Sequence, residues 1–490
     1  MMDKNDFSRR RFLGQASCAG LGYLTFVNQL LNLKAMGAAA MANSDVNDSD
    51  DYKAIVCILL AGGNDSFNML MPYDTSSHSE YVTARSGLYT NEDEPGLAIP
   101  RSELANTVLN TTVGGKQWAV HPSMTGIQSL YNSGRAAFLT NVGTLVKPTT
   151  RAQYENDVDN PLGLFSHADQ IQQWQTGLPH ERSAKGWGGK IADMISSCNS
   201  NDKISMNVSL SGNNIFQSGK TTIEYAIDPY RGAVGIDGFD PASDWMVRVA
   251  STKAIDNMLT DRYEDIFKRT YVNTAKNALD GYLQFTDAFQ NAVEFPDGTF
   301  PDSYFGSSME MIARTISIRE ALGFKRQIYF VTVGGWDHHD EVIDNQQNML
   351  GMVSGAIASF QNALGTMTGD IENKVLTMFI SEFGRTLRSN GNGSDHAWGG
   401  NTMVFGGSNL LNGGQMYGSY PSLALGESNP LELGLGRFIP TLATDLYYAE
   451  VAKWFGVPDG PNQLGSIFPN LGNFDYLGGN KPVGFLSGNF

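Results

Sequence analysis

Cysteine is scarce in this sequence, with three in 490 residues. That excludes a disulfide-stapled scaffold and a cysteine-built zinc cluster. Cys18 lies in the N-terminal segment, Cys57 in an apolar strand and Cys198 in a polar loop. An oxidising compartment would permit one bridge between the last two. Nothing in the sequence brings them together, so both are expected as free thiols. After the N-terminal segment no apolar run approaches the ~20 residues of a membrane-spanning helix, and no stable membrane insertion is expected. Basic charge is also short: 34 Lys and Arg stand against 50 Asp and Glu, for a formal net charge of −16. Such a surface repels nucleic acid and anionic lipid and attracts divalent cations. Acidity by itself identifies no site, because it commonly serves solubility. No internal repeat is found.

What is present begins at the N-terminus. Ser8-Arg9-Arg10-Arg11-Phe12-Leu13 spells a twin-arginine motif. A weakly apolar stretch follows, from Ala16 to Leu33, and then small residues from Ala38 to Ala42. Ala40-Met41-Ala42 is an A-x-A cleavage site. Residues 1–42 therefore predict a signal peptide for the twin-arginine (Tat) export machinery. That machinery carries folded proteins, commonly with a cofactor already loaded. The expected location is the periplasm or the medium. The signal carries five basic residues and two acidic ones, so its removal leaves a still more acidic chain.

Residues 43–52 are polar and read as a linker. Residues 53–490 are long enough for a large core. Ala54–Leu60 is a continuous apolar run cut off by Gly62-Gly63, the pattern of a buried parallel strand. Ala136–Val142, Gln327–Val333 and Val375–Ser381 repeat it, and Met403–Phe405 is a shorter case. Helical patterns lie between them at Ser166–Thr176, Lys190–Ser197, Asp256–Ala292, Met309–Leu322 and Glu341–Met367, with a late one at Leu442–Phe455. The alternation predicts an α/β fold: a mostly parallel central sheet with helices on both faces. Residues 199–246 hold short β-like runs, Ile204–Leu210 and Thr221–Ile227, and are expected to form an inserted cap or β subregion.

In open α/β sheets ligands bind outside the carboxyl ends of the strands. The residues that follow each strand are unusually rich in donors. Asn64-Asp65-Ser66 follows the first. Ser166-His167 comes some twenty residues after the second and opens a helix. Trp336-Asp337-His338-His339-Asp340 follows the third, and Glu382-Phe383-Gly384-Arg385 the fourth, with Asp395-His396 beyond. Each has an ordinary alternative: Asp65 as a turn cap, the Asp337–Asp340 stretch as a solvated loop, Asp395-His396 as a turn. Carboxylates and imidazoles at every strand end are nonetheless the outline of a metal site.

These residues carry a resemblance. Leu60-Ala-Gly-Gly-Asn-Asp65 with Asn68 and Pro72, His121-Pro122, Ser166-His167, Gly334-Gly-Trp-Asp337-x-His339, and Ser381-Glu-Phe-Gly-Arg-Thr386 followed by Asp395-His396 look like the exported domain-of-unknown-function family 1501. The resemblance runs from about Tyr52 to the C-terminus. It implies an alkaline phosphatase- and sulfatase-like three-layer sandwich. It implies that Asp65 is the first-strand metal aspartate, that Asp337 and His339 serve one metal site, and that Asp395 and His396 serve the other. Ser166 then matches the nucleophile. Two departures stand out. The superfamily usually separates its Asp-His pair by three residues, whereas only His338 intervenes here, and its late histidine ligand has no counterpart, His396 being the last histidine. One metal site is thus incomplete or rebuilt, with Glu382, His121 or His167 as candidates. No Cys-x-Pro-x-Arg or Ser-x-Pro-x-Arg motif occurs, so formylglycine chemistry is not expected.

Two functions follow as expectations. The first is an exported hydrolase of phosphate or sulfate esters that uses one or two divalent ions (zinc, calcium, magnesium or manganese) and Ser166 as nucleophile. Arg385 would clamp an anionic oxygen and His167 would shuttle protons. The substrate would be an anionic small-molecule ester or a polysaccharide, and Trp174, Trp187 and Trp336 are candidates to line a sugar or aryl site. The second is a non-catalytic exported binding or assembly protein on the same fold, with a structural or vestigial metal site.

Overall fold

The computed structural model describes residues 51–89, 96–474, 476, 481–488 and 490. The expected signal peptide and most of the linker lie outside them.

The apolar runs build one mixed sheet. Its strands in chain order are β1 (Lys53–Leu60), β2 (Ala136–Gly143), β3 (Asn207–Ser209), β4 (Tyr225–Ala226), β5 (Arg326–Val333), β6 (Val375–Ile380), β7 (Gly400–Phe405), β8 (Met416–Gly418) and β9 (Leu442–Ala443). They lie in the order β8-β2-β7-β6-β1-β5-β3-β4, with β9 also on β2. β1 is central and pairs in parallel with β5 and β6, Lys53 opposite Arg326 and Ala54 opposite Val375. All but its first residue are buried, as expected of a strand covered on both faces. β7 alone is antiparallel, to both β2 and β6.

Helices α1 (Thr125–Asn132), α2 (His167–Thr176), α3 (Trp187–Ile195), α4 (Met246–Thr260), α5 (Ile266–Phe289), α6 (Tyr304–Ser317), α7 (Val342–Thr366) and α8 (Thr444–Phe455) complete the frame. α7 touches α1 and α6, and these reach β2 and β5, forming one layer. α2 and α3 touch each other, α3 reaches β3 and α8 reaches β1, forming the other. The α/β expectation, with a mostly parallel sheet between helical layers, is met. α7 buries Val342, Gln346, Leu350, Val353, Ile357, Phe360 and Leu364, the three-and-four spacing of one apolar face. A three-stranded antiparallel sheet (Leu70–Pro72, Val108–Val113, Lys116–Val120) packs beside the main one. Among the described residues no helix is long and apolar enough to cross a membrane.

Within residues 199–246, β3 and β4 extend the central sheet in parallel from β5. One expectation changes. The helix expected over 256–292 is two helices, broken at 261–265. Asp265 accepts the backbone N–H of Lys268 and so starts α5 as an N-cap. Cys57, inside β1, and Cys198 are both unpaired.

Candidate metal centre

Parallel strands end on one edge, so the segments after β1, β2, β5 and β6 emerge together. β7 runs the other way, which brings Asp395 and His396, just before it, to that same edge. The segments are locked backbone to backbone. Gly62 (φ +127°) lies so close to the β5 loop that a Cβ there would sit 2.4 Å from the Asp337 nitrogen and 2.7 Å from the Trp336 carbonyl carbon. Gly62→Ala is therefore expected to lose on the order of 3 kcal/mol through clash and strain. An unchanged urea midpoint would contradict this close approach.

Asp337 is the centre of the cluster. His167, Asp337 and His396 each offer a ligand atom within 4.8 Å of the others. His339 joins them, its Nε2 lying 3.1 Å from Asp337 Oδ1 and 3.0 Å from His396 Nε2. His396 Nε2 is 3.3 Å from Asp337 Oδ1, and His167 Nε2 is 3.4 Å from Asp337 Oδ2.

The tautomers follow from the partners behind each ring. His396 Nδ1 lies 2.8 Å from the Phe165 carbonyl oxygen, which can only accept. His167 Nδ1 lies 2.7 Å from Glu382 Oε1, and His339 Nδ1 3.3 Å from Asp395 Oδ1. Each Nδ1 therefore carries the hydrogen and each Nε2 a lone pair. The three Nε2 atoms each lie within 3.4 Å of an Asp337 carboxylate oxygen, and His167 Nε2 is buried without a hydrogen-bond partner. Close-set acceptors repel, and a shared proton or a metal cation among them makes the arrangement favourable. Histidine held through its second nitrogen by a carboxylate or carbonyl is the usual support of a metal-binding imidazole. The residues fit a divalent ion.

Burial draws His396 toward the neutral form, against its bond to Phe165. Burial pushes the Asp337 carboxyl up, but the hydrogen bond and charge of Arg385 outweigh it, and Asp337 is held below the ordinary carboxylate range. Phe165 adopts a left-handed φ of +69°, rare for a bulky residue, and its carbonyl is the acceptor for His396. Phe383 underlies the site, 4.5 Å from the His396 ring and 4.8 Å from that of His167.

Other expected residues are placed differently. Glu382, 2% exposed, binds the Gly62 N–H (2.7 Å) and His167, so it stands behind the cluster. Asp395 stands behind His339 in the same way. Asp65 is ion-paired with Arg85, both buried, and its Oδ1 has no hydrogen-bond partner among the described residues. His121 bonds Ser123, and burial takes it down to about 4. Arg385 is fully buried and is not an open anion clamp. Its guanidinium donates to the carbonyls of Gly62, Gly63, Trp336 and Ser394 and to Asp337. Ser166 Oγ accepts the Asp169 N–H at 3.4 Å as the N-cap of α2. Trp174, Trp187 and Trp336 are all buried packing residues. The Phe165 carbonyl and Arg85 were not singled out from the sequence. A backbone carbonyl has no sequence signal, and Arg85 lies twenty residues from its partner in a helical stretch without a motif.

A family model described as "Protein of unknown function (DUF1501)" matches residues 52–434. No curated protein matches the chain. Among solved structures, one titled "Crystal structure of Ps i-CgsB in complex with k-i-k-neocarrahexaose" is 10% identical, with 84% of this chain and 73% of that one covered and a TM-score of 0.32. A likeness of that size carries no argument about function.

Proposed function

The chain belongs to the DUF1501 family, and from that premise we propose that it is an exported, metal-dependent hydrolase of phosphate or sulfate esters. One observation carries the metal part: three imidazole lone pairs converge on Asp337, each ring oriented from behind. A set of three nitrogens and one carboxylate suits zinc or a similar transition ion better than calcium or magnesium, which prefer oxygen. When bound, such an ion would polarise an ester oxygen and offset the charge that develops on it.

The protein's own residues have separable tasks in this reading. His167, His339, His396 and Asp337 hold the ion. Glu382, Asp395 and the Phe165 carbonyl fix the rings, and Arg385 fixes Asp337. With Nδ1 given to Glu382 and Nε2 to the ion, His167 has no nitrogen left for proton transfer, so its role is that of a ligand. Ser166 directly precedes His167 at the N-terminus of α2, where backbone N–H groups and the helix dipole favour an anion. Its hydroxyl oxygen is the proposed nucleophile. The Oγ–phosphorus or Oγ–sulfur bond forms as the ester bond to the leaving oxygen breaks, the hydroxyl proton passes to that departing oxygen to give the free alcohol, and water later cleaves the covalent intermediate. Resemblance to the alkaline phosphatase and sulfatase superfamily supports this assignment, as does the Tat-type leader for export.

The test is metal content together with turnover. Purified protein is expected to hold about one transition ion per chain, and chelation and Ser166→Ala are each expected to abolish hydrolysis of chromogenic phosphate and sulfate esters. Glu382→Gln is expected to weaken metal binding roughly 10- to 100-fold, as lost second-nitrogen support does elsewhere. Retained activity after chelation would sink the mechanism. Metal held without turnover of any ester would leave the non-catalytic binding reading.

A further inference from the structure

A projecting hairpin lies far from the metal centre in sequence and takes no part in it. α4 and the first three turns of α5 pack on each other and bury almost nothing. Of residues 246–278 only Thr252 is buried, whereas the end of α5 packs into the body through Leu279, Phe285 and Ala288. Large apolar side chains stand among the exposed residues. Met246 and Phe267 are each 82% exposed, Tyr271 72%, Trp245 and Ile266 61%, and Met258 60%. A patch of this size on a soluble chain marks an interface. The large side chains near the turn, Met258, Ile266, Phe267 and Tyr271, supply a substantial part of the roughly 800 Å² per partner of a stable interface, at ~150–250 Å² for each whole aromatic.

Charge selects the occupant. The connecting residues 261–265 hold three carboxylates and one arginine. The two helices, as far as residue 278, hold five cationic side chains and one carboxylate. The whole chain is at −16. Two copies repel over most of their surface, and this basic-shafted, acid-tipped hairpin is where they do so least. It is also self-complementary. If two hairpins lie antiparallel across a two-fold axis, the acidic tip of each meets the basic shaft of the other, as a two-fold interface requires. Lys253 lies about 10 Å before the tip and Lys276 about 15 Å after it, at 1.5 Å per residue. That is within reach of the other copy's Asp261 and Glu264.

We infer that the α4–α5 hairpin is a homodimerisation arm that clasps the same arm of a second copy, burying Phe267, Tyr271 and Met258 and pairing Asp261 and Glu264 with Lys253 and Lys276. Light scattering and sedimentation of the full metal-loaded protein test it. Wild type is expected to be a dimer that dissociates on dilution. Phe267→Glu with Tyr271→Glu is expected to give a monomer with an unchanged thermal melt, since both side chains are exposed. Lys253→Glu with Lys276→Glu, and separately Asp261→Lys with Glu264→Lys, are each expected to raise the dimer Kd at least tenfold. An equimolar mixture of these two charge variants is expected to recover a dimer. A wild-type monomer at every concentration would overturn the inference. So would a dimer indifferent to the Phe267 and Tyr271 changes, a mixture that fails to recover, or a monomer that floats with anionic phospholipid vesicles through these same residues.

Discussion

Replacement of Arg385 by methionine is expected to lower the stability of the protein by roughly 3–5 kcal/mol, because it strips a shared donor from several buried carbonyls. The side chain is fully buried, and it ties the ends of three strands together. Its donors reach Gly62 and Gly63 after β1, Trp336 and Asp337 after β5, and Ser394 before β7. Methionine fills much of the volume but leaves these acceptors without a donor, at ~1–3 kcal/mol for each one that water does not reach. Lysine is not expected to rescue. A single ammonium cannot match a planar fork directed at separate carbonyls. Urea unfolding of the three proteins measures the effect. A methionine variant within about 1 kcal/mol of wild type would show that the guanidinium is not the tie proposed. The same variant should bind metal more weakly even while folded, because Asp337 loses the group that aims it.

The frame was legible in the sequence because buried strands are long and wholly apolar. Ala54–Leu60 and Val375–Ser381 name their strands within a residue or two, and the glycines that end β1 mark the edge where chemistry gathers. Direction was less legible. Nothing in Gly400–Phe405 says that it runs antiparallel, yet that reversal puts Asp395 and His396 beside Asp337. Short strands such as Tyr225–Ala226 were visible as β-like, but their partner was not, because strand pairing is a non-local choice. Within the site, residue type drew attention to the right loops and could not assign depth. Glu382 and Asp395 look like ligands on paper, because a carboxylate that holds a metal and one that holds a histidine have the same sequence signature. Only the order of atoms along each line, carboxylate to Nδ1 and Nε2 to centre, separates the two.

Asp445 carries the last prediction, and its sign runs against the usual carboxylate. It stands in the first turn of α8, fully buried, and neither oxygen has a hydrogen-bond partner among the described residues. The helix N-terminus favours a negative charge there by ~0.3–2 kcal/mol. Burial disfavours it by more and pushes the carboxyl up to about 8, while the charge of Lys190 pulls it down in part. An unfolded aspartate titrates near ~3.9. Between those values the native chain keeps a proton that the unfolded chain releases. The group's contribution to stability is therefore whole at low pH and is lost as pH rises toward 8, at about 1.4 kcal/mol per pH unit. Asparagine cannot ionise and lacks that slope. Asp445→Asn is expected to gain on wild type as pH rises, by roughly 3–4 kcal/mol between pH 5 and pH 8. Urea unfolding of both proteins at the two pH values reads the difference directly. A gain that is the same at both would mean that Asp445 is already charged in the folded protein, stabilised by Lys190 more strongly than its burial opposes.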